Sequence, residues 1–356
     1  MTVRGCRLFG ALMLISSLGC SQSAVAQSAR VAKPRPAPPT PTTMPPLPPA
    51  IIDNSRAIGG EDVKARKVET RLTVQVRVNG RGPYHFLVDS GADTSVVGLR
   101  IARELNLPLG TPAILNGMTS RNLVDRVKVD QLTLGPTTIT DLEVPALSEF
   151  DVGGQGMIGI DALVRQRLLM DFEKKLIKIE DARKPPKPLP GEIVVVAKRR
   201  RGQLILTQVR ASGLRLEAVI DTGSQITIGN VALRNRLIRR RQKFETVEVT
   251  GVTGATAVLQ LAVIDELRIG SVTLRHVPIA FADVPPFALF GLAQEPALLL
   301  GTDLLEKFRR VSLDFQARKV RFQLRRCGSN LVQVSKEPSI MLTRISSGDD
   351  MAVCRA

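Results

Sequence analysis

The feature that most constrains this chain is a short motif that occurs twice, an apolar strand followed by Asp, a small hydroxyl residue and Gly. The two copies are Phe86-Leu87-Val88-Asp89-Ser90-Gly91 and Ala218-Val219-Ile220-Asp221-Thr222-Gly223. At average residue usage, such an Asp-Ser/Thr-Gly triplet is expected by chance roughly 0.1 to 0.2 times in a chain of this length. Two acids in the same local setting favour a site in which paired carboxyl groups share one proton and activate a water.

Each copy is followed by the same series of further motifs, which indicates an internal duplication. The glycines of Met157-Ile158-Gly159-Ile160-Asp161 and Leu299-Leu300-Gly301-Thr302-Asp303 lie 70 and 80 residues after the triplet acids. An Asp-Phe pair and a strand with alternating apolar residues come next in both halves. Because the order of elements is the same, the sequence predicts two similar lobes in one chain.

The remaining pattern predicts short strands joined by tight turns. Apolar residues alternate with polar ones over 72–78 and, less regularly, over 204–209, ahead of each motif. Aromatic residues are scarce, so the cores must be built from Val, Leu and Ile, which suit strands. We therefore expect a mostly β, two-lobed fold with short helices. Two hairpin turns and two helices are predicted at corresponding places in the halves: Asn79-Gly80, Ser212-Gly213, 99–105 and 231–238.

The N-terminus predicts export to the periplasm. Two arginines precede an apolar run, and Ala24-Val25-Ala26 offers a cleavage site, so residues 1–26 are typical of a signal peptide. The apolar run is too short to span a bilayer stably. An alternative in which Cys20 carries a lipid anchor stays open.

The composition divides the rest of the chain into segments. Residues 33–49 are rich in proline, which favours an extended, disordered spacer. Four further prolines between the lobes give a connector with enough slack for the lobes to fold against each other. The predicted organisation is a signal peptide, a spacer, an N-terminal lobe, a connector, a C-terminal lobe and a tail: 1–26, 27–64, 65–182, 183–202, 203–325 and 326–356.

Cysteine usage agrees with export. Cleavage after Ala26 leaves only Cys327 and Cys354, both in the tail. In an oxidising compartment the simplest interpretation is one disulfide that ties the tail to the last strand. Two free thiols are the alternative, and the spacing matches no metal or redox motif.

The formal net charge is +17, with runs of basic residues at 198–201 and 239–243. Nucleic-acid binding is not expected, because no nucleic-acid motif is present and few aromatics are available for base stacking. The charge instead favours a solvated basic face in weak contact with an anionic membrane or envelope surface. His85 and His276 stand apart, and neither a serine-nucleophile motif nor a Gly-rich phosphate loop occurs, so we expect no metal and no cofactor.

These motifs resemble those of the bacterial retropepsin-like aspartic proteases, with two lobes fused in one chain. The string 86–94 is close to the signature of the retroviral proteases. The Gly-x-Asp strings at 157–161 and 299–303 match the family's second loop, which packs beside the catalytic turn. The resemblance covers residues 70–325, and it implies a duplicated retropepsin-like acid protease fold.

The resemblance implies a role for every residue of the two triplets. Asp89 and Asp221 would form a catalytic dyad that holds one shared proton. The hydroxyl residues would bond across the lobes, and the glycines would leave room for close approach of backbone and substrate: Ser90, Thr222, Gly91 and Gly223.

The resemblance also implies residues that contact the substrate. Asp93 would hold substrate backbone, and its counterpart Gln225 lacks the acid, so we expect a cleft with two unlike ends. Flaps that cover the cleft are expected at two hairpin tips, which begin with Gly117 and Gly251.

The resemblance implies an exported aspartic endopeptidase that hydrolyses peptide bonds of envelope or periplasmic proteins. Because both acids lie in one chain, we expect a monomer with an intramolecular dyad. A catalytically silent peptide-binding module on the same fold is the alternative, and the two intact triplets favour the enzyme.

Overall fold

A computed structural model describes residues 30–37, 51–53, 61–68, 71–135, 137–163, 165–188, 190–238, 244–325 and 332–334. The predicted signal peptide, the lipid-anchor candidate Cys20 and the predicted Cys327–Cys354 disulfide lie outside these residues.

Within the described residues, the first half contains three N-terminal strands and a lobe of ten strands and three short helices. Its elements are β1 Arg35–Pro36, β2 Ile51–Asp53, β3 Glu61–Val68, β4 Arg71–Val78, β5 Arg81–Val88, β6 Val96–Gly98, α1 Leu99–Glu104, β7 Ala113–Asn116, β8 Arg121–Val124, β9 Arg126–Leu134, β10 Thr137–Leu147, α2 Glu149–Val152, β11 Gly156–Ile158, α3 Ile160–Leu163, β12 Gln166–Asp171 and β13 Leu176–Asp181.

The second half begins with a strand that leads into the second lobe and repeats the same order. Its elements are β14 Glu192–Arg200, β15 Gln203–Ala211, β16 Leu214–Ile220, β17 Ile228–Gly229, α4 Val231–Leu237, β18 Glu245–Thr250, β19 Thr256–Ile269, β20 Val272–Phe281, α5 Pro285–Leu289, β21 Ala297–Leu300, α6 Thr302–Leu305, β22 Arg310–Asp314, β23 Lys319–Gln323 and β24 Val332–Val334. The mostly β, two-lobed fold expected from the sequence is confirmed.

The predicted hairpins form as expected because their turn residues tolerate left-handed backbone. Asn79 and Gly80, between β4 and β5, have φ angles of 47° and 76°, and Ser212 and Gly213, between β15 and β16, have 45° and 86°. Positive φ at both central residues matches the right-handed twist of the flanking strands. The predicted helices after the two triplets are α1 and α4.

A six-stranded antiparallel sheet joins the two lobes. Its order is β3, β13, β12, β22, β23 and β14, so corresponding strands of the two halves lie at equal distances from its centre. The central pair, β12 with β22, belongs to different lobes and aligns Arg167 with Asp314 and Asp171 with Arg310. We call this the interlobe sheet. It gives the duplication an approximate twofold axis.

Ion pairs cross the centre of the interlobe sheet. The Arg167 guanidinium donates from Nε to Asp314 Oδ2 at 2.8 Å and lies 3.2 Å from Glu180 Oε2 through Nη1. Arg310 Nε donates to Asp171 Oδ2 at 2.6 Å. Arg167 and Asp314 are almost fully buried, and Asp314 depends on Arg167 for its charge to be compensated.

Parts of the segments predicted as spacer and connector are strands, which corrects that expectation. Residues 35–36 pair with β8, residues 51–53 pair with β10, and β3 begins at residue 61 within the interlobe sheet. The connector is slack over only part of its length, because β14 pairs with both β23 and β15. The sequence did not predict these strands because they form by pairing with other strands. The proline content of a segment does not show which partner strands it meets in the fold.

Three residues of the first basic run are exposed but contact other parts of the protein. Lys198 Nζ lies 3.1 Å from Glu217 Oε1, Arg200 donates to the carbonyl of Phe290, and Arg201 bonds to an acid of the first lobe. The second basic run, 239–243, lies outside the described residues. Among the helices that the structure describes, none has the length and apolar character to cross a bilayer.

The interlobe ion pair generates a stability prediction. We expect Arg167→Met to lower the free energy of unfolding by about 3–5 kcal/mol, because it leaves Asp314 buried without a counter-charge. Lys198→Met is the matched control, since it removes a largely exposed pair and should cost less than about 1 kcal/mol. Urea denaturation measures both, and equal small losses would contradict the role of the interlobe pair.

Candidate active site

Both triplets sit at the ends of strands that are held from one side by a parallel partner. In the first lobe β5 pairs with β11, and the Asp89 N–H donates to the Ile158 carbonyl at 2.9 Å. In the second lobe β16 pairs with β21, and the Asp221 N–H donates to the Leu300 carbonyl at 3.1 Å. The backbone position of each acid is therefore fixed where its strand ends.

The carboxyl groups are oriented by their own turns. Asp89 Oδ1 accepts hydrogen bonds from the N–H groups of Gly91 and Ala92 at 2.8 and 3.0 Å. Asp221 Oδ1 accepts from the N–H groups of Gly223 and Ser224, both at 3.0 Å. The same oxygen is used in both lobes, so the second oxygen of each acid is left for the other acid and for the cavity.

The two hydroxyl residues exchange hydrogen bonds across the lobes. The Ser90 N–H donates to Thr222 Oγ1 at 2.9 Å, and Thr222 Oγ1 donates to the Val88 carbonyl at 2.7 Å. In the opposite sense, the Thr222 N–H donates to Ser90 Oγ at 3.3 Å, and Ser90 Oγ donates to the Ile220 carbonyl at 2.8 Å. Four buried bonds thus join one turn to the other.

The glycines of the triplets allow the turns to approach each other. A Cβ atom at Gly91 would lie 2.7 Å from the Asp221 carboxyl carbon, and one at Gly223 would overlap the Asp89 carboxylate. Any larger residue at these positions would separate the two acids. Glycine is required here by the close approach rather than by backbone conformation.

Electrostatics set the protonation of the acid pair. Burial raises the pKa of both Asp89 and Asp221, and the negative charge of Asp89 contributes to raising the pKa of Asp221 to about 8. At Asp89, the N–H groups of the Asp89 turn and the guanidinium of Arg71 oppose this rise of the pKa. The two carboxyl groups are hydrogen-bonded to each other, so the pair holds one proton between them.

A second acid supports the turn in each lobe, and its partners were not found from the sequence. Asp161 accepts hydrogen bonds from the Ser95 N–H and hydroxyl at 2.8 and 2.7 Å. Asp303 accepts from the Thr227 N–H and hydroxyl at 3.0 and 2.8 Å. Both hydroxyl residues stand six positions after the triplet acid, and that shared offset is the signal that could have identified them.

The predicted flap tips are hairpin tips and touch each other. In the first tip the Gly117 N–H donates to the Ser120 carbonyl at 2.9 Å, and in the second the Gly251 N–H donates to the Ala255 carbonyl at 2.8 Å. Ser120 Oγ lies 2.8 Å from Thr253 Oγ1 across the gap. The two tips together cover the space above the acids.

A cavity of about 150 Å³ lies between the acids and the flap tips. Asp89, Asp221 and Gly117 line it, whereas Gly251 and Gln225 are not among the described residues that do. Most of its wall is apolar and comes from both lobes: Val96, Ile114, Leu115, Met118, Val124, Met157, Val219, Val252, Leu289, Phe290 and Leu299.

Asp93 lines the cavity, but its carboxylate is used within the protein. Arg201, from the turn after β14, donates to Asp93 Oδ2 from Nε and Nη2 at 3.2 and 3.1 Å, and Gln203 Nε2 donates to Oδ1. The acid therefore ties the first lobe to the second. Within the described residues no group of three His, Cys, Asp or Glu side chains could hold a metal ion.

The contact between the acids generates a prediction that does not depend on activity. An Asn at position 221 keeps an oxygen for the turn and offers an amide donor to Asp89, so Asp221→Asn should stabilise the fold by roughly 1–3 kcal/mol at pH 8. The gain should shrink toward pH 4. The raised pKa means that the wild-type pair favours folding while protonated and loses that contribution as the pH rises through the folded pKa.

Thermal unfolding across this pH range measures the effect. The exposed Asp265→Asn is the matched control and should change the free energy of unfolding by no more than about 0.5 kcal/mol at any pH. A loss of stability in Asp221→Asn at pH 8 would contradict the prediction.

Comparisons with known proteins found a solved structure and a family profile. A solved structure described as a retropepsin-like aspartic protease from Rickettsia conorii aligns with 38% of this chain and 91% of its own, at 16% identity and a TM-score of 0.29. No curated protein matched the sequence. The profile of the family described as aspartyl protease matches twice, at residues 74–162 and 207–304, once in each lobe and over more than half of the chain. The chain therefore belongs to the aspartyl protease family, which confirms the resemblance and the duplication inferred from its motifs.

Proposed function

We propose that this protein is an aspartic endopeptidase whose attacking water is activated by Asp89 and Asp221. The observation that carries the proposal is the pair of buried, hydrogen-bonded carboxyl groups that faces a cavity built from both lobes. Burying two acids in contact destabilises the fold. A module that only binds peptides would gain nothing that offsets this cost.

The surroundings of the two acids support different roles. The charge of Arg71 favours the anion at Asp89, and the negative charge of Asp89 favours the proton at Asp221, so Asp221 carries the shared proton. Asp89 takes a proton from the water, and the water oxygen attacks the carbonyl carbon of the scissile bond. Asp221 donates its proton to the developing oxyanion. Collapse of the gem-diol intermediate then breaks the C–N bond as the amine takes a proton from Asp89, and Asp221 takes back a proton from one hydroxyl as the carboxyl group forms.

The cavity supports a peptide as the substrate. The cavity runs between the acids and the flap tips, where an extended chain would lie, and its apolar wall would hold side chains of that chain. The contact between Ser120 and Thr253 would have to open for a chain to enter. Closure over the bound chain would then exclude bulk water from the acids.

We infer from the N-terminal sequence that the enzyme works outside the cytoplasmic membrane, as a monomer, on proteins of the envelope or periplasm. The signal-peptide features of residues 1–26 support export, and the two acids in one chain support an intramolecular dyad. The net charge supports weak contact with anionic envelope surfaces.

The single-chain dyad generates the first functional prediction. Asp89→Asn and Asp221→Asn should each abolish cleavage of a denatured protein substrate, because the first removes the general base and the second removes the acid that protonates the oxyanion. The wild type should show a bell-shaped pH profile that belongs to the pair. A mixture of the two variants should stay inactive, and Asp265→Asn should retain activity.

Recovery of strong activity in the mixture would contradict an intramolecular dyad. A wild type that binds pepstatin with no cleavage at any pH would instead favour the silent binding module.

Export generates a second prediction, on the mature N-terminus. Mass spectrometry of protein purified from the envelope fraction should find a chain that begins at Gln27, because cleavage follows Ala26. A chain that begins at lipidated Cys20 would identify the lipoprotein alternative. Full-length protein confined to the cytoplasm would contradict export.

A further inference from the structure

The wall of the cavity carries one unusual residue. Among the described residues that line it, Arg126 is the single cation, and it is only 8% exposed. It begins β9, directly after the first flap hairpin. A buried guanidinium in a mostly apolar wall costs free energy, so its position calls for a compensating partner or a ligand.

Its partners within the protein use only part of its hydrogen-bonding capacity. Nε donates to the Thr111 carbonyl, and Nη2 lies 3.2 Å from Glu143 Oε2. Nη1 has no partner among the described residues, although a guanidinium has five N–H donors in a fixed planar array. One edge of Arg126 is therefore left for a group that enters the cavity.

The acids of the cavity do not use this edge. Asp93 is neutralised by Arg201 at 3.1 Å and also accepts from Gln203. Asp89 and Asp221 are bonded to each other and to their own turns. An acceptor for Nη1 must come from outside the protein.

The second lobe has no such charge at the corresponding place. The β9–β10 hairpin aligns Val127 with Val144, and the β19–β20 hairpin aligns Ala262 with Ile279. This register makes Leu261 the counterpart of Arg126 and makes a proline, Pro278, the counterpart of Glu143. The two lobes therefore differ in charge at this position.

We propose that Arg126 forms a subsite in the first lobe that selects substrates with an acidic side chain, Asp or Glu. The inference rests on the proposed peptidase function and adds a substrate class to it. A carboxylate carries the opposite charge to a guanidinium and can accept two parallel N–H bonds from it. An amide side chain lacks the charge, and an apolar side chain lacks both the charge and the acceptors. The acidic residue would lie on one side of the scissile bond only, because Leu261 occupies the equivalent place in the other lobe.

The test uses fluorescence-quenched peptides that carry Glu, Gln or Leu at one position at a time around a fixed apolar cleavage site. We expect a preference of about tenfold in kcat/KM for Glu over Gln at one position. Arg126→Leu, which installs the residue of the second lobe, should remove that preference. Glu143→Gln should enlarge it, because it removes the charge that competes for the guanidinium.

Opposite changes in the two variants are the expected result, since general damage to the fold would not produce them. Asp265→Asn is the control, and thermal unfolding checks that each variant is folded. If Arg126→Leu does not fold, Arg126→Gln and Glu143→Gln decide the question. A Glu preference that is absent in the wild type, or unchanged in the folded Arg126 variant, would overturn the proposal.

Binding separates this inference from the proposed activity. Asp221→Asn should bind fluorescently labelled Glu peptides about tenfold more tightly than the Gln peptides, whether or not the wild type cleaves them. Selective binding without cleavage by the wild type would contradict the proposed function and support the subsite. Equal binding of the two peptides by Asp221→Asn would contradict the subsite.

Discussion

The site depends on four hydrogen bonds that two hydroxyl groups make across the lobes. Each hydroxyl accepts from the N–H of the other and donates to the carbonyl that precedes the opposite acid. The two turns are therefore joined, and the acids are held in contact although two ionised carboxylates there would repel each other. Hydrogen bonds that are buried and fully paired give this kind of rigidity, and the interlobe sheet aligns the lobes that present them.

Duplication within one chain allows the two halves of the site to differ. Arg71 and Gln203 begin corresponding strands and donate to the carbonyls of Gly223 and Gly91 in the opposite lobe. Only the first of them is charged, and its charge favours the anion at Asp89. A symmetric dimer could not make this distinction, because both acids would receive the same neighbours.

Much of the fold could be predicted from the sequence because its signals are local and occur twice. The triplets at Asp89 and Asp221, the turns at Asn79-Gly80 and Ser212-Gly213, and the helices after each triplet follow from residue type and spacing. What could not be predicted depends on contacts between distant segments. The strand at 35–36 exists through pairing, and its composition is typical of a linker. The apolar residues at 193–197 are typical of a strand, but the prolines before them led to their assignment to the connector.

The same distinction applies to the site. Pairing of the acids was expected, and the structure brings Asp89 and Asp221 together. The tie between Asp93 and Arg201 was not expected, because it joins residues 108 positions apart. The cation at the cavity wall was also missed, since Arg126 belongs to no motif and is recognised only by what surrounds it.

The strand at 35–36 makes the first flap part of a three-stranded sheet, in the order β1, β8, β7. Ala32 N–H donates to Asp125 Oδ2 at 2.7 Å, and Arg35 lies 3.4 Å from the same carboxylate. The stiffness of this flap is thus linked to a stretch of chain close to the predicted signal-peptide cleavage site. An affinity tag or a truncation in that stretch would remove the strand pairing and the hydrogen bond that hold this hairpin, so measurements on shortened chains would describe a hairpin that is less firmly held.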